Sequence, residues 1–277
     1  MTGPRFRKTT AGEADRKEKK MRILAIGDVT GAGGVKLLRE KLWSFRRAKG
    51  VDLCIVNAEN AGFITGASPE AAEALFSAGA DVLTGGNHTL RNRAVWSYID
   101  DEPRMLRPLN FPDAPGSGYC IIDIGGDRVM VISVMGTVHI EPTLDSPFGA
   151  IDRLLEREAG KYDFAIMDIH AEATGEKLAI AHAYDGKIAV IFGTHTHVPT
   201  ADMQILPLGT GYVTDVGMCG ESGGILGMSP ESVVARMKSR LPLRLEAAEG
   251  APVADCVLFD YDTTKRKVVR IERSHIK

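Results

Sequence analysis

Asp28, Glu59, Asn60, Asn87, His170, His195 and His197 recur along the chain as side chains able to hold a cation, with His88 beside Asn87 as a group able to move a proton. Most stand just beyond short apolar runs. MRILAIG precedes Asp28, VDLCIV precedes Asn57-Ala-Glu59-Asn60, and the run 81–83 precedes Gly85-Gly-Asn87-His88. The run 163–169 delivers His170, and 188–192 delivers Gly193-Thr-His195-Thr-His197. A hydrophobic core has no use for so many carboxylate, amide and imidazole groups at strand ends. A site for two metal ions does. Carboxylates neutralise charge and one of them can bridge two ions, while Asn carbonyl oxygens and neutral imidazoles complete the shells. Oxygen and nitrogen donors without thiolate suit Mn, Fe, Zn, Co or Ni and argue against a structural zinc site. Two such ions ~3.5–4 Å apart clamp a phosphoryl group and generate a hydroxide nucleophile near neutral pH. Each piece alone is weak, since Gly-Asp and Gly-Asn-His are commonly turns. Together, in this order and at strand ends, they point to a dinuclear phosphoesterase.

The elements that must position these groups follow from periodicity. Strands are expected at 21–27, 51–56 and 81–83, with helices over 35–48 and from Ser68, where Ser is the N-cap and Pro69 the first helical residue. That β-α-β-α-β spacing implies parallel strands with right-handed crossovers. Residues 119–124 and 128–134 flank Gly125-Gly126 and read as a hairpin, because Gly-Gly supplies the positive φ of a tight turn. Helices are expected at 148–159, 176–185 and 230–239, further strands at 163–169, 188–192 and 212–215, and a final hairpin at 253–261 and 267–273. Ligands in open α/β sheets gather at the carboxyl ends of strands, where the candidate residues fall. The i, i+2 spacing of His195 and His197 would keep both imidazoles on one side of an extended segment. The mixture of parallel and antiparallel pairs predicts an α/β fold with two packed, mixed β-sheets flanked by helices, forming one domain over 21–277.

Composition is that of a globular protein: 44% hydrophobic, 6% aromatic, with a formal net charge of -2. Residues 1–20 are locally basic and lack both an apolar h-region and apolar periodicity, so they are expected to be a disordered extension and not a secretory signal. No apolar stretch approaches the ~18 residues of a membrane span. Cys54, Cys120, Cys219 and Cys256 are scattered with no CxxC pair, which fits a reducing cytoplasm; Cys54 and Cys256 lie in apolar runs and should be buried. His139 reads as a loop or surface residue, His182 as a structural helix residue and His275 as part of a solvated tail. Glu172 and Thr174 could orient His170 or cap the following helix, and Asp215 could orient a neighbour. The glycines at 217, 220, 223, 224 and 227 imply either a loop that closes over substrate or one that packs tightly.

At the metal-binding residues the sequence resembles the calcineurin-like metallophosphoesterases, whose loops read Asp-x-His, Gly-Asp-x-x-(Asp/Glu), Gly-Asn-His-(Asp/Glu), a lone His, and Gly-His-x-His. It departs from that pattern with Thr30 after Asp28, Asn57-Ala-Glu59-Asn60 at the second loop, and an inserted Thr194 before His195. Those departures resemble the YmdB family, a bacterial branch of that superfamily. The stretches that carry the likeness include MRILAIGDVTGAGG (21–34), NAENA (57–61), TGGNHT (84–89), DIHAEATGEK (168–177), GTHTHVPTAD (193–202) and ILPLGTGYVTDVGMCG (205–220).

The resemblance implies a four-layer metallophosphoesterase sandwich and phosphodiester hydrolysis of 2′,3′-cyclic nucleotides, cyclic AMP among them, by a metal-bridging hydroxide attacking phosphorus. It implies two metal ions per chain, iron or manganese first, with zinc, cobalt or nickel as alternatives. Carried over by position, Asp28 and His197 would bind one ion, Asn60, Asn87, His170 and His195 the other, Glu59 would bridge them, and His88 would be the general acid. Leu90-Arg91 stands where that family usually has Trp-Asp, and Thr137 where it has Arg; both positions bear on substrate preference. The expected partners are a small nucleotide, RNA ends as a second class, no membrane, and further copies of the chain in a homo-oligomer. A phosphomonoesterase or protein phosphatase would use the same two ions, and a nucleotide-sensing protein with negligible turnover is the alternative from a different functional class.

Overall fold

The computed structural model describes residues 20–62 and 66–277. The first strand, β1 (Lys20–Ile26), is apolar from Ile23 to Ile26 because both of its faces are buried. Ile23 and Ala25 enter one core while Leu24 and Ile26 enter another, as successive side chains on a strand must. The chain continues through β2 (Asp28–Val29), α1 (Gly31–Lys49), β3 (Leu53–Asn57), α2 (Pro69–Ala78), β4 (Val82–Thr84) and α3 (Val95–Asp101). Next come β5 (Tyr119–Ile124), β6 (Asp127–Met135), α4 (Pro147–Arg157), β7 (Phe164–His170), α5 (Thr174–Ala183), β8 (Val190–Thr194), β9 (Gln204–Ile205) and β10 (Gly211–Val213). β11 (Met218–Glu221), α6 (Pro230–Ser239), β12 (Pro252–Asp262) and β13 (Lys267–Ile276) complete it.

Two sheets result. In the first the order is β2-β11-β12-β1-β3-β4, with β13 also on β12; β1, β3 and β4 run parallel and β12 is antiparallel to β1. In the second the order is β5-β6-β7-β8-β10-β9, parallel from β6 to β10 and antiparallel at both edges. Ile23, Ile55, Val82 and Phe259 of the first sheet meet Val131, Ile166, Val190 and Phe192 of the second in a central core. Leu38, Leu42, Leu75 and Ile99 of α1, α2 and α3 cover the outer face of the first sheet. Ile151, Leu154 and Ile180 of α4 and α5 cover that of the second. This is the helix–sheet–sheet–helix sandwich expected from the sequence. Fully burying each Leu, Ile or Phe of these layers stabilises the fold by roughly 1.5–3 kcal/mol, which makes the sandwich a stiff mount for its strand ends.

Local chemistry sets the turns. Ser68 Oγ accepts from Ala71 N at 3.2 Å, capping α2 ahead of Pro69, and Gly125 and Gly126 adopt φ of 60° and 89° between β5 and β6. One expectation needs correction, one helix goes beyond the sequence reading, and one open alternative is decided. Helix α1 starts at Gly31 and not at Val35: Cβ atoms at 33 and 34 would lie 1.8 Å from the Glu221 carboxylate and 2.3 Å from the Cys219 carbonyl oxygen, so those glycines let the helix press onto β11. Helix α3 was not expected; no side chain caps its start. The glycine-rich stretch 217–227 contains strand β11, and a Cβ at Gly224 would lie 2.4 Å from Ala248 Cβ, so tight packing explains these glycines. Of the terminal extension expected over 1–20, residues 1–19 lie outside the described residues and Lys20 already belongs to β1. Cys54, Cys120, Cys219 and Cys256 are all free and buried. Among the described residues no helix is long and apolar enough to cross a membrane.

Candidate metal centre

Every candidate residue lies where β1, β3, β4, β7 and β8 end, so both sheets contribute to one locus. Asp28 follows β1 and is fully buried. Its Oδ2 accepts from His195 N at 3.0 Å, while its Oδ1 is buried with no hydrogen-bond partner. Burial pushes its carboxyl above the usual range, and the positive charge available to His197 opposes that. Glu59 follows β3 and is equally buried. Its carboxylate accepts from Gly86 N, His88 N and Thr89 Oγ1, yet burial still pushes it up to about 8, with the nearby Asp28 charge adding to the rise. Two carboxylates sunk in one place are costly unless a positive charge sits between them.

Imidazoles and amides surround this pair. His170 Nε2 stands 3.1 Å from Asn87 Oδ1, 3.1 Å from His195 Nδ1 and 3.6 Å from Glu59 Oε1. His197 Nε2 is 3.7 Å from Asp28 Oδ1 and 3.5 Å from Asn60 Nδ2, and its Nδ1 faces the Leu226 carbonyl oxygen at 3.4 Å. Donor atoms about 3.0–3.5 Å apart form the edges of a coordination polyhedron with bonds of ~2.0–2.2 Å. Among the described residues no three His, Cys, Asp or Glu side chains stand as a finished cation shell. The donors lean on one another instead, and amide oxygens of Asn60 and Asn87 belong to the set. The bare Asp28 Oδ1, the paired buried carboxylates and the electron-rich ring of N and O atoms fit hard or borderline divalent cations.

His88 stands at the edge of this cluster. Its Nδ1 is 2.8 Å from Asn60 Oδ1 and 3.6 Å from Glu59 Oε1. Nδ1–H donation to Asn60 leaves Nε2 as the atom free to carry a proton. Burial, then the charges of Arg91, His195 and His197, hold the imidazole down to about 4. A cavity of about 230 Å³ is lined by His88, Asn60, Asn87, His195 and His197, and by Glu221, Met228 and Ala247. Asp28 and His170 lie behind its wall. Gly86 makes room for that wall, since a Cβ there would sit 2.0 Å from His170 Cδ2.

Residues 24–274 match the YmdB-like protein family. The chain belongs to the YmdB-like family. It is 41% identical over 254 residues to the 2′,3′-cyclic-nucleotide 2′-phosphodiesterase of Bacillus subtilis (strain 168), covering 91% of this chain and 96% of that protein. A crystal structure described as a novel phosphatase of Mycoplasma pneumoniae superposes with a TM-score of 0.88 at 31% identity, covering 94% of both chains. The 5′-nucleotidase precursor of Thermus thermophilus shares the fold alone, with a TM-score of 0.55 at 12% identity over 93% of this chain and 54% of that one. The fold of this YmdB-like protein is that of the calcineurin-like metallophosphoesterases.

Where this YmdB-like chain departs from expectation, the reason is local. His195 and His197 do not share the face of a strand: β8 ends at Thr194, and the two histidines adopt φ of 100° and 61°. They reach different neighbours, His195 toward His170 and His197 toward Asp28 and Asn60. Glu172 contacts His195 Nε2 at 3.1 Å and not His170, and helix α5 has no side-chain cap. Asp215 does orient a neighbour, accepting from Thr196 N and Oγ1 at 3.1 and 2.8 Å. Thr137 turns to Glu176 on α5, donating through N and Oγ1 at 2.8 and 3.0 Å. His275 is exposed, as expected, but lies in β13 and not in a loose tail, and it pairs with Asp255 at 2.8 Å. His139 is an exposed loop residue, and His182 is exposed on α5.

Four polar residues beneath the site were not singled out from sequence. Asn57 Nδ2 donates to Asp168 Oδ2 at 2.9 Å and to Thr194 Oγ1 at 3.2 Å, and Asn57 Oδ1 accepts from Glu59 N at 2.9 Å. Thr84 Oγ1 also donates to Asp168 Oδ2. Thr194 Oγ1 donates to Asp168 Oδ1 at 2.8 Å and lies 3.0 Å from His170 Nδ1. Burial pushes the Asp168 carboxyl up to about 7. The available signal was Asp168 two places before His170 on a strand, which puts both side chains on one face.

Proposed function

We propose that this phosphoesterase hydrolyses 2′,3′-cyclic nucleotides, opening the cyclic diester to a nucleoside monophosphate. Supporting this substrate class is the name of the 41% identical Bacillus subtilis relative. The observation that carries the chemistry is the bare, buried Asp28 Oδ1 beside buried Glu59 amid four imidazoles. Calcineurin-like phosphoesterases are metal-dependent, and two ions, iron or manganese, would be held here by Asp28 and His197 at one position and Asn60, Asn87, His170 and His195 at the other, with Glu59 able to serve both. Such ions neutralise phosphoryl oxygens and make water acidic enough to attack near neutral pH.

The chain's own groups do the rest. His88 lines the cavity, and its Nε2 is the atom we assign as proton donor to the departing ribose oxygen. Its imidazole is held neutral in the ligand-free site, and a bound phosphate anion shifts it toward the protonated form. Asn60 fixes the ring through Nδ1, so the proton moves at one defined atom. Met228 and Ala247 give the cavity an apolar wall on which a base can lie. RNA ends carrying a 2′,3′-cyclic phosphate are a second substrate class with the same reacting group. We further infer a cytoplasmic protein, in keeping with four free thiols, and a homo-oligomer, in keeping with exposed Met237 and Leu241.

The phosphatase description of the Mycoplasma pneumoniae relative favours a phosphomonoesterase as the second reading. Incubating Mn²⁺-loaded protein with 2′,3′-cyclic AMP or a nucleoside monophosphate, followed by chromatography, separates the two. Release of monophosphate from the cyclic ester supports the diesterase; release of inorganic phosphate alone would replace it with the monoesterase.

A further inference from the structure

The donors and acceptors under His170 fix which of its nitrogens carries the proton. A threonine hydroxyl has one hydrogen. Thr194 Oγ1 spends it on Asp168 Oδ1 at 2.8 Å, so toward its other neighbours it can only accept. Those neighbours are Asn57 Nδ2 at 3.2 Å, a donor, and His170 Nδ1 at 3.0 Å. His170 Nδ1 therefore bears hydrogen and Nε2 is left with its lone pair. Asp28 Oδ1 lies 3.7 Å from the same Nδ1, too far to compete with Thr194 but also electron-rich.

Asp168 keeps the hydroxyl turned this way. Its Oδ2 already accepts from Asn57 Nδ2 and Thr84 Oγ1, which leaves Oδ1 as the acceptor for Thr194. All of Asn57, Thr84, Asp168, Thr194 and His170 are buried, so water cannot substitute for a missing partner. On the far side of the ring, Nε2 looks at Asn87 Oδ1 and Glu59 Oε1. His195 Nδ1 stands 3.1 Å from the same Nε2, so the lone pair faces two oxygens and a second imidazole nitrogen, a donor set suited to a cation.

We propose that Asp168, acting through the Thr194 hydroxyl, is a positioning residue that holds His170 in the Nδ1–H form and so keeps Nε2 available to a metal ion. Asp168 touches neither substrate nor ion; it acts on the ring. The carboxylate in a serine-protease triad sets its histidine's tautomer directly; here a hydroxyl is interposed. The proposal rests on the metal reading given above.

The test is metal affinity, by chelator competition with Mn²⁺ or Zn²⁺, in wild type, Asp168→Asn, Thr194→Val and Thr194→Ser. Loss of a partner that orients a metal-bound histidine typically weakens binding about 10–100-fold. Asp168→Asn keeps the shape but can donate to Thr194 and turn its hydroxyl toward His170, so it should lose affinity in that range for one equivalent. Thr194→Val should do the same, while Thr194→Ser, which restores the hydroxyl, should stay close to wild type. Thermal unfolding of the metal-free proteins separates this from a general loss of fold, and affinity at the second equivalent should hold. Wild-type affinity for both equivalents in Asp168→Asn and Thr194→Val would overturn the proposal alone. A wild-type protein that binds no metal would overturn the metal reading, and this proposal with it.

Discussion

Lys177 on α5 and Asp215 after β10 pair at 2.9 Å with neither side chain reaching solvent. Lys177 Nζ also donates to the Thr194 carbonyl oxygen at 2.7 Å, and Asp215 accepts from Thr196 and from Gly217 N, the latter at 2.9 Å. The pair thus fixes the segment carrying His195 and His197. Both histidines have the positive φ that non-glycine residues hold at a cost of order 1–3 kcal/mol each. A buried ion pair rooted in a neighbouring helix is what keeps them there.

Removing one partner leaves the other charged and dry. Lys177→Met should destabilise the protein by about 3–5 kcal/mol, read from urea unfolding midpoints. Lys177→Met/Asp215→Leu should recover part of that loss, because no unpaired charge remains. Equal stability of Lys177→Met and wild type would show that Asp215 is satisfied without the lysine.

Gly86 is where backbone and imidazole meet. Gly86→Ala would place a Cβ 2.0 Å from His170 Cδ2, so the ring must move. A misplacement of about 1 Å at reacting groups can cost on the order of 100-fold in rate. We expect kcat/KM to fall by roughly that factor together with metal content, while circular dichroism stays native.

His88→Ala should lower kcat by about 10²–10⁴-fold, the usual contribution of a general acid, with metal content by elemental analysis unchanged. Normal turnover in this variant would remove His88 from the mechanism.

The metal-stripped protein should lose stability as pH rises from about 6.5 to 8.5. Burial holds Glu59 up to about 8 and Asp168 up to about 7 in the folded state, whereas both titrate near their ordinary values when unfolded. In that window the folded state binds more protons than the unfolded state, so unfolding becomes easier with rising pH. Below it the depressed imidazoles act in the opposite direction. Urea midpoints across the window should therefore fall, and Glu59→Gln should flatten the fall. A midpoint that rises instead would contradict the burial of uncompensated carboxylates.

The strand-tip residues were legible because each follows a short, mostly apolar run, and such runs are what a doubly buried strand requires. The sandwich followed from the same runs. Helix α3 escaped because RNRAVWSYIDD carries neither cap nor clear stripe, and the start of α1 was hidden by glycines placed there for contact with β11. Asn57, Thr194 and Lys177 were invisible for another reason: their roles come from partners 17 to 137 residues away, which only the folded chain brings together. The pairing inferred for His195 and His197 failed because alternation holds only inside a strand.

The most direct measurement is turnover of 2′,3′-cyclic AMP by protein whose metal content is known, compared with the chelator-stripped protein and with Glu59→Ala. Monophosphate should appear in proportion to bound metal, reach its maximum at two ions per chain, and vanish in both controls. No product from protein carrying two ions per chain would contradict the assignment of this site to cyclic phosphodiester hydrolysis.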